Sequence, residues 1–169
     1  KKINGGIYDF PTTMVTAVEN CKSAGVHGNC TWIMAYPGEA LEHLKTSVAF
    51  ILWQQDFWTQ GSTPGTEEHK LLEDGVNKRM FTATAYPGTE MWRSVRPELA
   101  EHFDISFDAT GEPVCDDLFH NYVLELDDAT KVLNDKNGNP VNFGDMPLDT
   151  FLQAREHIDS GQIEKILDM

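Results

Sequence analysis

The chain has 169 residues, of which 40% are hydrophobic, and it carries a formal charge of −14. This length suits one domain with a sizeable core. The charge argues against a nucleic-acid-binding protein and against attraction to an anionic membrane, and no apolar run approaches the ~20 residues of a membrane-spanning helix. The three cysteines are isolated and no secretory signal opens the chain, so we expect reduced thiols and a cytoplasmic location.

The first half of the chain shows helical and strand-like patterns in alternation. An apolar stripe predicts a helix over residues 12–24. Residues 29–36 are apolar without clean alternation, which predicts a strand buried on both faces of a parallel sheet. The clearest helix is predicted over residues 39–55, where Leu44, Val48 and their neighbours follow helical spacing.

A second helix–strand–helix series follows. Composition predicts a loop over residues 59–66, a short helix over 67–77 and a strand over 79–86. The next helix, over residues 89–95, is expected to stop near Pro97.

The last third of the chain is predicted to be mainly helical. Residues 104–115 are irregular, and a long helix is predicted over 116–131. An Asn-Gly pair predicts a β-hairpin near residues 131–143. One or two helices are expected over residues 147–168, broken at Gly161.

A pentapeptide that occurs twice, 50 residues apart, is the most distinctive motif. Residues 35–39 read Ala-Tyr-Pro-Gly-Glu and residues 85–89 read Ala-Tyr-Pro-Gly-Thr, and each copy follows a predicted strand and precedes a predicted helix. Proline holds the preceding tyrosine extended, and glycine permits a positive φ. Glu39 falls at the start of a helix, where the helix dipole favours a carboxylate. The repeat predicts either a turn reused for its geometry or a shared binding surface at the carboxyl ends of two strands.

The order of elements predicts parallel strands joined by right-handed crossovers. Only two strands are clear, with a third candidate near residues 2–8, which is few for a free-standing parallel sheet. We therefore predict an α/β fold, a partial (βα) barrel of few parallel strands with flanking helices. The predicted division places a partial TIM-like barrel at residues 1–115 and a C-terminal helical extension with a β-hairpin at residues 116–169.

Three segments resemble radical S-adenosylmethionine (SAM) enzymes, Fe–S oxidoreductase-like proteins of the subfamily that often carries a cobalamin-binding domain. Residues 13–26 resemble that family's helix followed by "aGi". Residues 32–39 resemble its "iiGyPGET" strand and loop, and residues 81–92 resemble its later "tPyPGTely" segment. The resemblance covers roughly residues 11–95. It implies that this chain is the later, C-terminal part of an enzyme barrel.

The resemblance also implies cofactors and site residues. The full-length enzyme would use SAM and a [4Fe–4S] cluster, with cobalamin as a further candidate, but this chain has no CxxxCxxC motif and would not bind the cluster or be competent alone. Two sets of residues are implied to face the ligands. The residues expected beside the SAM adenine are Ile33, Ala35, Tyr36, Pro37, Gly38 and Glu39, and those expected at the substrate end are Tyr86, Pro87 and Gly88. Ala35 stands where the family usually has glycine, and Ala40 where it usually has threonine.

Other interpretations remain open. The chain is alternatively a non-enzymatic α/β module that self-associates or binds a protein partner, or a small barrel-derived enzyme with another cofactor. A partial barrel leaves apolar residues uncovered, so the expected partners are the missing N-terminal half of the barrel or further copies of the chain. The apolar residues behind this expectation are Trp32, Met34, Met80 and Phe81. In the other arrangement, helices from residues 116–169 fold back and cover them.

Two further constellations favour structural roles. Glu39 and His43 are one helical turn apart and are interpreted as a surface pair rather than metal ligands. Residues 135–139 resemble part of a calcium loop, but Met146 stands where the bidentate acidic ligand belongs, so we predict a hairpin there.

Overall fold

The computed structural model describes residues 2–3, 6–7, 10–127 and 131–169. The described elements run from two short strands to a C-terminal 3₁₀ helix. The strands are β1 (Lys2–Ile3), β2 (Gly6–Ile7), β3 (Trp32–Met34) and β4 (Met80–Thr82). The helices are α1 (Thr12–Ser23), α2 (Leu41–Thr59), α3 (Glu67–Asp74), α4 (Glu90–Ser94), α5 (Arg96–Phe103), α6 (Asp117–Glu125), α7 (Leu148–Asp159) and the 3₁₀ helix Ile163–Asp168.

The centre of the fold is a two-stranded parallel sheet, in which β3 pairs with β4 in the register Trp32↔Met80 to Met34↔Thr82. Both strands are shorter than predicted. The predicted third strand falls on β1 and β2, which pair with each other in antiparallel fashion, and its remaining residues lie outside the described part. The architecture is therefore mixed α/β with two parallel strands, and the described residues do not close a barrel.

Among the described residues, one face of this sheet is buried and the other is partly exposed. Trp32, Met34 and Met80 are buried, whereas Ile33, which points to the other face, is 58% exposed. Its neighbour Phe81 is half-buried. The prediction that residues 29–36 are buried on both faces is wrong at Ile33, whose side chain lies on the less covered face of the sheet.

The first hydrophobic core lies between the covered face of the sheet, α2 and the C-terminal helices. Buried residues of α7 and of the 3₁₀ helix, including Phe151, Ile158 and Ile166, belong to the same cluster as Met34 and Met80. The C-terminal helices thus fold back onto the sheet. This burial removes most of the apolar surface that motivated the prediction of a homo-oligomer.

A second core is centred on Trp92, which is almost fully buried. The ring of Trp92 contacts Phe107, Phe119 and Tyr122 at centroid separations of 5.8, 6.0 and 5.6 Å. This core ties α4 to α6. Both cores combine residues from before and after residue 115, and the predicted domain division at that point stays a prediction.

Three predicted element boundaries differ from the structure. A new helix, α5, starts at Arg96 with Pro97 in its first turn, where the missing N–H costs nothing. The helix predicted over 116–131 ends at Glu125, and residues 128–130 lie outside the described part. The predicted hairpin is a single antiparallel bridge between Asn134 and Pro140 rather than two extended strands.

Helix α7 closes the outer edge of β4. The Ala83 amide donates to the Met34 carbonyl at 2.8 Å, so the peptide groups of Met80 and Thr82 point away from β3. Nη1 of Arg155 donates to the Met80 carbonyl at 2.6 Å, and Oγ1 of Thr84 donates to the Thr82 carbonyl at 3.1 Å. By contrast, β3 has β4 as its one neighbour in the described part of the chain.

Candidate functional site

The two Tyr-Pro-Gly segments form the same type of turn at the same end of the sheet. The Glu39 amide donates to the Tyr36 carbonyl at 2.8 Å, and the Thr89 amide donates to the Tyr86 carbonyl at 3.2 Å. The glycines at the third position have φ of +84° and +83°. Proline followed by a glycine of positive φ is the type II pattern. Because β3 and β4 are parallel, the prediction that both turns lie at one end of the sheet is confirmed.

The helices that follow the two turns begin differently. In the second copy, Oγ1 of Thr89 accepts the Trp92 amide at 3.1 Å and caps α4. In the first copy, α2 begins after Ala40, which has no side-chain acceptor. Nδ1 of His43 instead accepts the Ala40 amide at 3.0 Å. His43 therefore stabilises the start of α2, which is a structural role. The prediction that Glu39 and His43 form a surface pair is wrong at Glu39, because Glu39 is buried.

Ala35 adopts the left-handed conformation that its position demands. Its φ is +62°, a region that side chains other than glycine rarely occupy, and it is fully buried. The carboxylate of Glu39, itself buried, accepts the Ala35 amide. Glu39 thus holds the turn from inside, and the backbone at Ala35 takes a glycine-like path although a methyl group is present.

The predicted ligand-facing residues differ in accessibility. Ile33 and Gly38 are exposed, whereas Ala35 and Glu39 are buried. Tyr36 packs against the second core, and Pro37 beside it is half-buried. The three residues predicted at the substrate end are all exposed, and they are Tyr86, Pro87 and Gly88.

Tyr122 supports the end of β4 below the second turn. Its hydroxyl donates to the Ala85 carbonyl at 2.9 Å, and its side chain is almost fully buried. The hydroxyl of Tyr86 donates to the Leu126 carbonyl at 3.4 Å. Burial, with a smaller contribution from nearby Tyr86, raises the pKa of Tyr122 well above that of an ordinary tyrosine. Tyr122 therefore acts as a neutral hydrogen-bond donor.

The donor chemistry of this chain does not fit a [4Fe–4S] cluster. Such a cluster needs several thiolates converging on one point. Cys115 is exposed in the segment before α6, while Cys21 and Cys30 pack against the first core, where burial raises the pKa of the Cys30 thiol. The described residues contain no group of three His, Cys, Asp or Glu side chains placed to hold a metal ion.

The fit to the adenosine part of SAM is partial. Ile33 offers an exposed apolar side chain next to the first turn. The Ala35 amide is already bound by Glu39 and so is not available to a ligand.

In the part of the chain that the structure describes, no helix is long and apolar enough to cross a membrane.

Three residues that bind the strands or their turns were missed by sequence analysis. Arg155 contacts Met80, which is 75 positions away, and Asp145 contacts Gly38, which is 107 positions away. Tyr122 was predicted only as part of a helix face. A local pattern carries no signal for such distant contacts, and a buried arginine looks like any helical surface residue in sequence.

Comparison with known proteins identified no relative of this chain. No family model matches the sequence, and neither the curated proteins nor the solved structures contain a significant match. The resemblance to radical SAM enzymes thus depends on the three sequence segments alone.

Proposed function

We propose that this chain supplies the later strands of a radical SAM enzyme barrel, with β3 and its turn beside the adenine of SAM and the second turn at the substrate end. The observation that carries the proposal is the exposed Ile33 side chain on the less covered face of the parallel sheet. Parallel sheets are normally covered on both faces. Here Ile33 is exposed on the face opposite the helices, which is the face that lines the interior of a (βα) barrel.

The edges of the sheet support the same arrangement. The outer edge of β4 is closed by Arg155 and Thr84, whereas the peptide group of Ile33 points away from β4. A further parallel strand from the N-terminal half of the barrel would add to β3. The [4Fe–4S] cluster and any cobalamin would be held by that half, and this chain would contribute binding surface without starting the chemistry.

Titration with S-adenosylhomocysteine, a stable analogue of SAM, tests this proposal. In the ¹⁵N-labelled chain we expect saturable amide shift changes at residues 33–39. Ile33→Glu should abolish them, because it places a charge where the apolar contact is expected. Leu71→Glu, at an exposed position of α3, is the matched control and should leave them unchanged. Scattered or non-saturable changes in the original chain would contradict the proposal.

A second candidate is a non-enzymatic module that self-associates through β3. The observation that favours it is that β4 is the one strand beside β3 in the described part of the chain, because an unpaired strand edge recruits another strand. The two candidates differ in what pairs with β3 on the side away from β4: a strand of the same barrel in the first, and a second copy of the chain in the other.

A further inference from the structure

A segment of the C-terminal extension lies directly on the first Tyr-Pro-Gly turn. Oδ1 of Asp145 accepts the Gly38 amide at 3.2 Å, and the Asp145 amide donates to the Glu39 carbonyl at 2.9 Å. Asp145 therefore makes a reciprocal pair of hydrogen bonds with two adjacent residues of the turn.

Hydrogen bonds and packing within residues 142–146 hold Asp145 against the turn. Nδ2 of Asn142 donates to the Met146 carbonyl at 2.7 Å, and Oδ1 of Asn142 accepts the Gly144 amide at 2.9 Å, so the segment is braced internally. A methyl group on Gly144 would lie 3.1 Å from Cα of Ala35, closer than backbone atoms normally allow. Met146 is buried in the first core and anchors the far end.

The second turn has no equivalent support. Gly88 is exposed, and no hydrogen bond from a side chain to its amide occurs among the described residues. The hydrogen bond from Tyr122 reaches the chain at Ala85, before the turn begins. Two turns of the same geometry therefore differ, since Asp145 binds the peptide groups of the first, whereas the second is tethered through the Tyr86 side chain, whose hydroxyl donates to the Leu126 carbonyl at 3.4 Å.

We propose that Asp145 is a positioning residue, which fixes the first turn so that the end of β3 presents one geometry to the adenosine group. The choice of adenosine as the ligand rests on the proposed function. The structural part, that Asp145 fixes the first turn, rests on the hydrogen bonds alone. Asp145 does not touch the ligand in this account. Its effect comes from restricting the peptide groups of Gly38 and Glu39, since a binding group held in place loses less entropy when the ligand arrives.

Amide hydrogen exchange tests the structural part. Asp145→Ala removes the acceptor and should speed exchange of the Gly38 amide about fivefold, the factor expected for one ordinary hydrogen bond. Asp145→Asn keeps Oδ1 and should restore the original rate. Asp56→Ala, at an exposed position of α2, is the charge-matched control and should have no effect. An unchanged Gly38 rate in Asp145→Ala would overturn the proposal.

Titration of the same proteins with S-adenosylhomocysteine tests the functional part. We expect Asp145→Ala to bind several-fold more weakly than the original chain, and Asp145→Asn to bind equally well. Equal binding by Asp145→Ala would overturn the positioning role even if Gly38 exchanges faster. If the original chain does not bind the analogue, the proposed function fails and with it the ligand-positioning role, while the exchange data still decide the structural contact.

Discussion

Replacement of Arg155 by methionine tests how the C-terminal helix closes the sheet. Arg155 is 8% exposed, and its Nη1 donates to the buried Met80 carbonyl at 2.6 Å. The other side of the group contacts Asp159, whose side chain is 58% exposed. Methionine keeps much of the length of arginine and its packing, but it cannot donate a hydrogen bond.

The expected loss of stability follows from these contacts. A hydrogen bond from a charged donor contributes about 1.5–3 kcal/mol, and its loss leaves the Met80 carbonyl buried without a donor. Relief of the desolvation of the guanidinium offsets part of this, and the two-point ion pair with the exposed carboxylate of Asp159 contributes about 0.5–1 kcal/mol. We expect Arg155→Met to lower the free energy of unfolding by about 1–2 kcal/mol, or Tm by about 2–8 °C for a chain of this size.

Urea and thermal denaturation followed by circular dichroism measure this change. Asp159→Asn is the matched control, because it removes the exposed carboxylate charge but leaves the bond to Met80. It should cost about 0.5–1 kcal/mol, less than Arg155→Met. The reasoning would be refuted if Arg155→Met were as stable as the original chain, or if Asp159→Asn destabilised the protein equally.

Three further predictions concern the turns and the open edge. Ala40→Ser should stabilise the protein by about 1 kcal/mol, because serine supplies the side-chain cap that α2 lacks, and Thr89→Ala should destabilise it by a similar amount. Thermal denaturation of both variants measures these changes. A destabilised Ala40→Ser would argue against the helix start described here. Because the pKa of Tyr122 is raised, the folded state keeps the phenolic proton where the unfolded chain loses it, so its contribution to stability is present below about pH 10 and falls above it. In Tyr122→Phe, the free energy of unfolding measured by urea titration at several pH values should fall less steeply with rising alkaline pH. The same dependence of this free energy on pH in Tyr122→Phe and in the original chain would rule out this role. Self-association through β3 predicts a dimer of the original chain in light scattering and a monomer near 19.0 kDa for Ile33→Pro, which removes the amide that points away from β4. A dimer that persists in Ile33→Pro would exclude pairing through this edge.

Sequence patterns predicted the parts of the fold that depend on local spacing. Helices α1 and α2 lie close to the predicted ranges because their apolar stripes follow the helical period. Helix α3 also lies within its predicted range, although it buries no residue. The two turns were predictable because Pro-Gly dictates a local backbone path. The strands were predicted too long, since the extent of a strand depends on its partner rather than on its own residues.

The surroundings of the candidate site were not predictable in this way. The left-handed backbone at Ala35 has no signal in its residue type, because alanine usually avoids that conformation. Asp145 reaches Gly38 across 107 positions, and only the folded chain brings them together. The exposed face at Ile33 was missed because an apolar residue in a strand is normally buried.

The sequence of the messenger RNA upstream of the Lys1 codon tests the central claim most directly. The proposal that this chain forms the later part of a radical SAM barrel predicts an uninterrupted reading frame. That frame should encode Cys-x-x-x-Cys-x-x-Cys about 100–150 residues before Lys1, the distance occupied by the preceding barrel units. A stop codon in frame shortly before Lys1, or a long upstream frame without this motif, would contradict the claim.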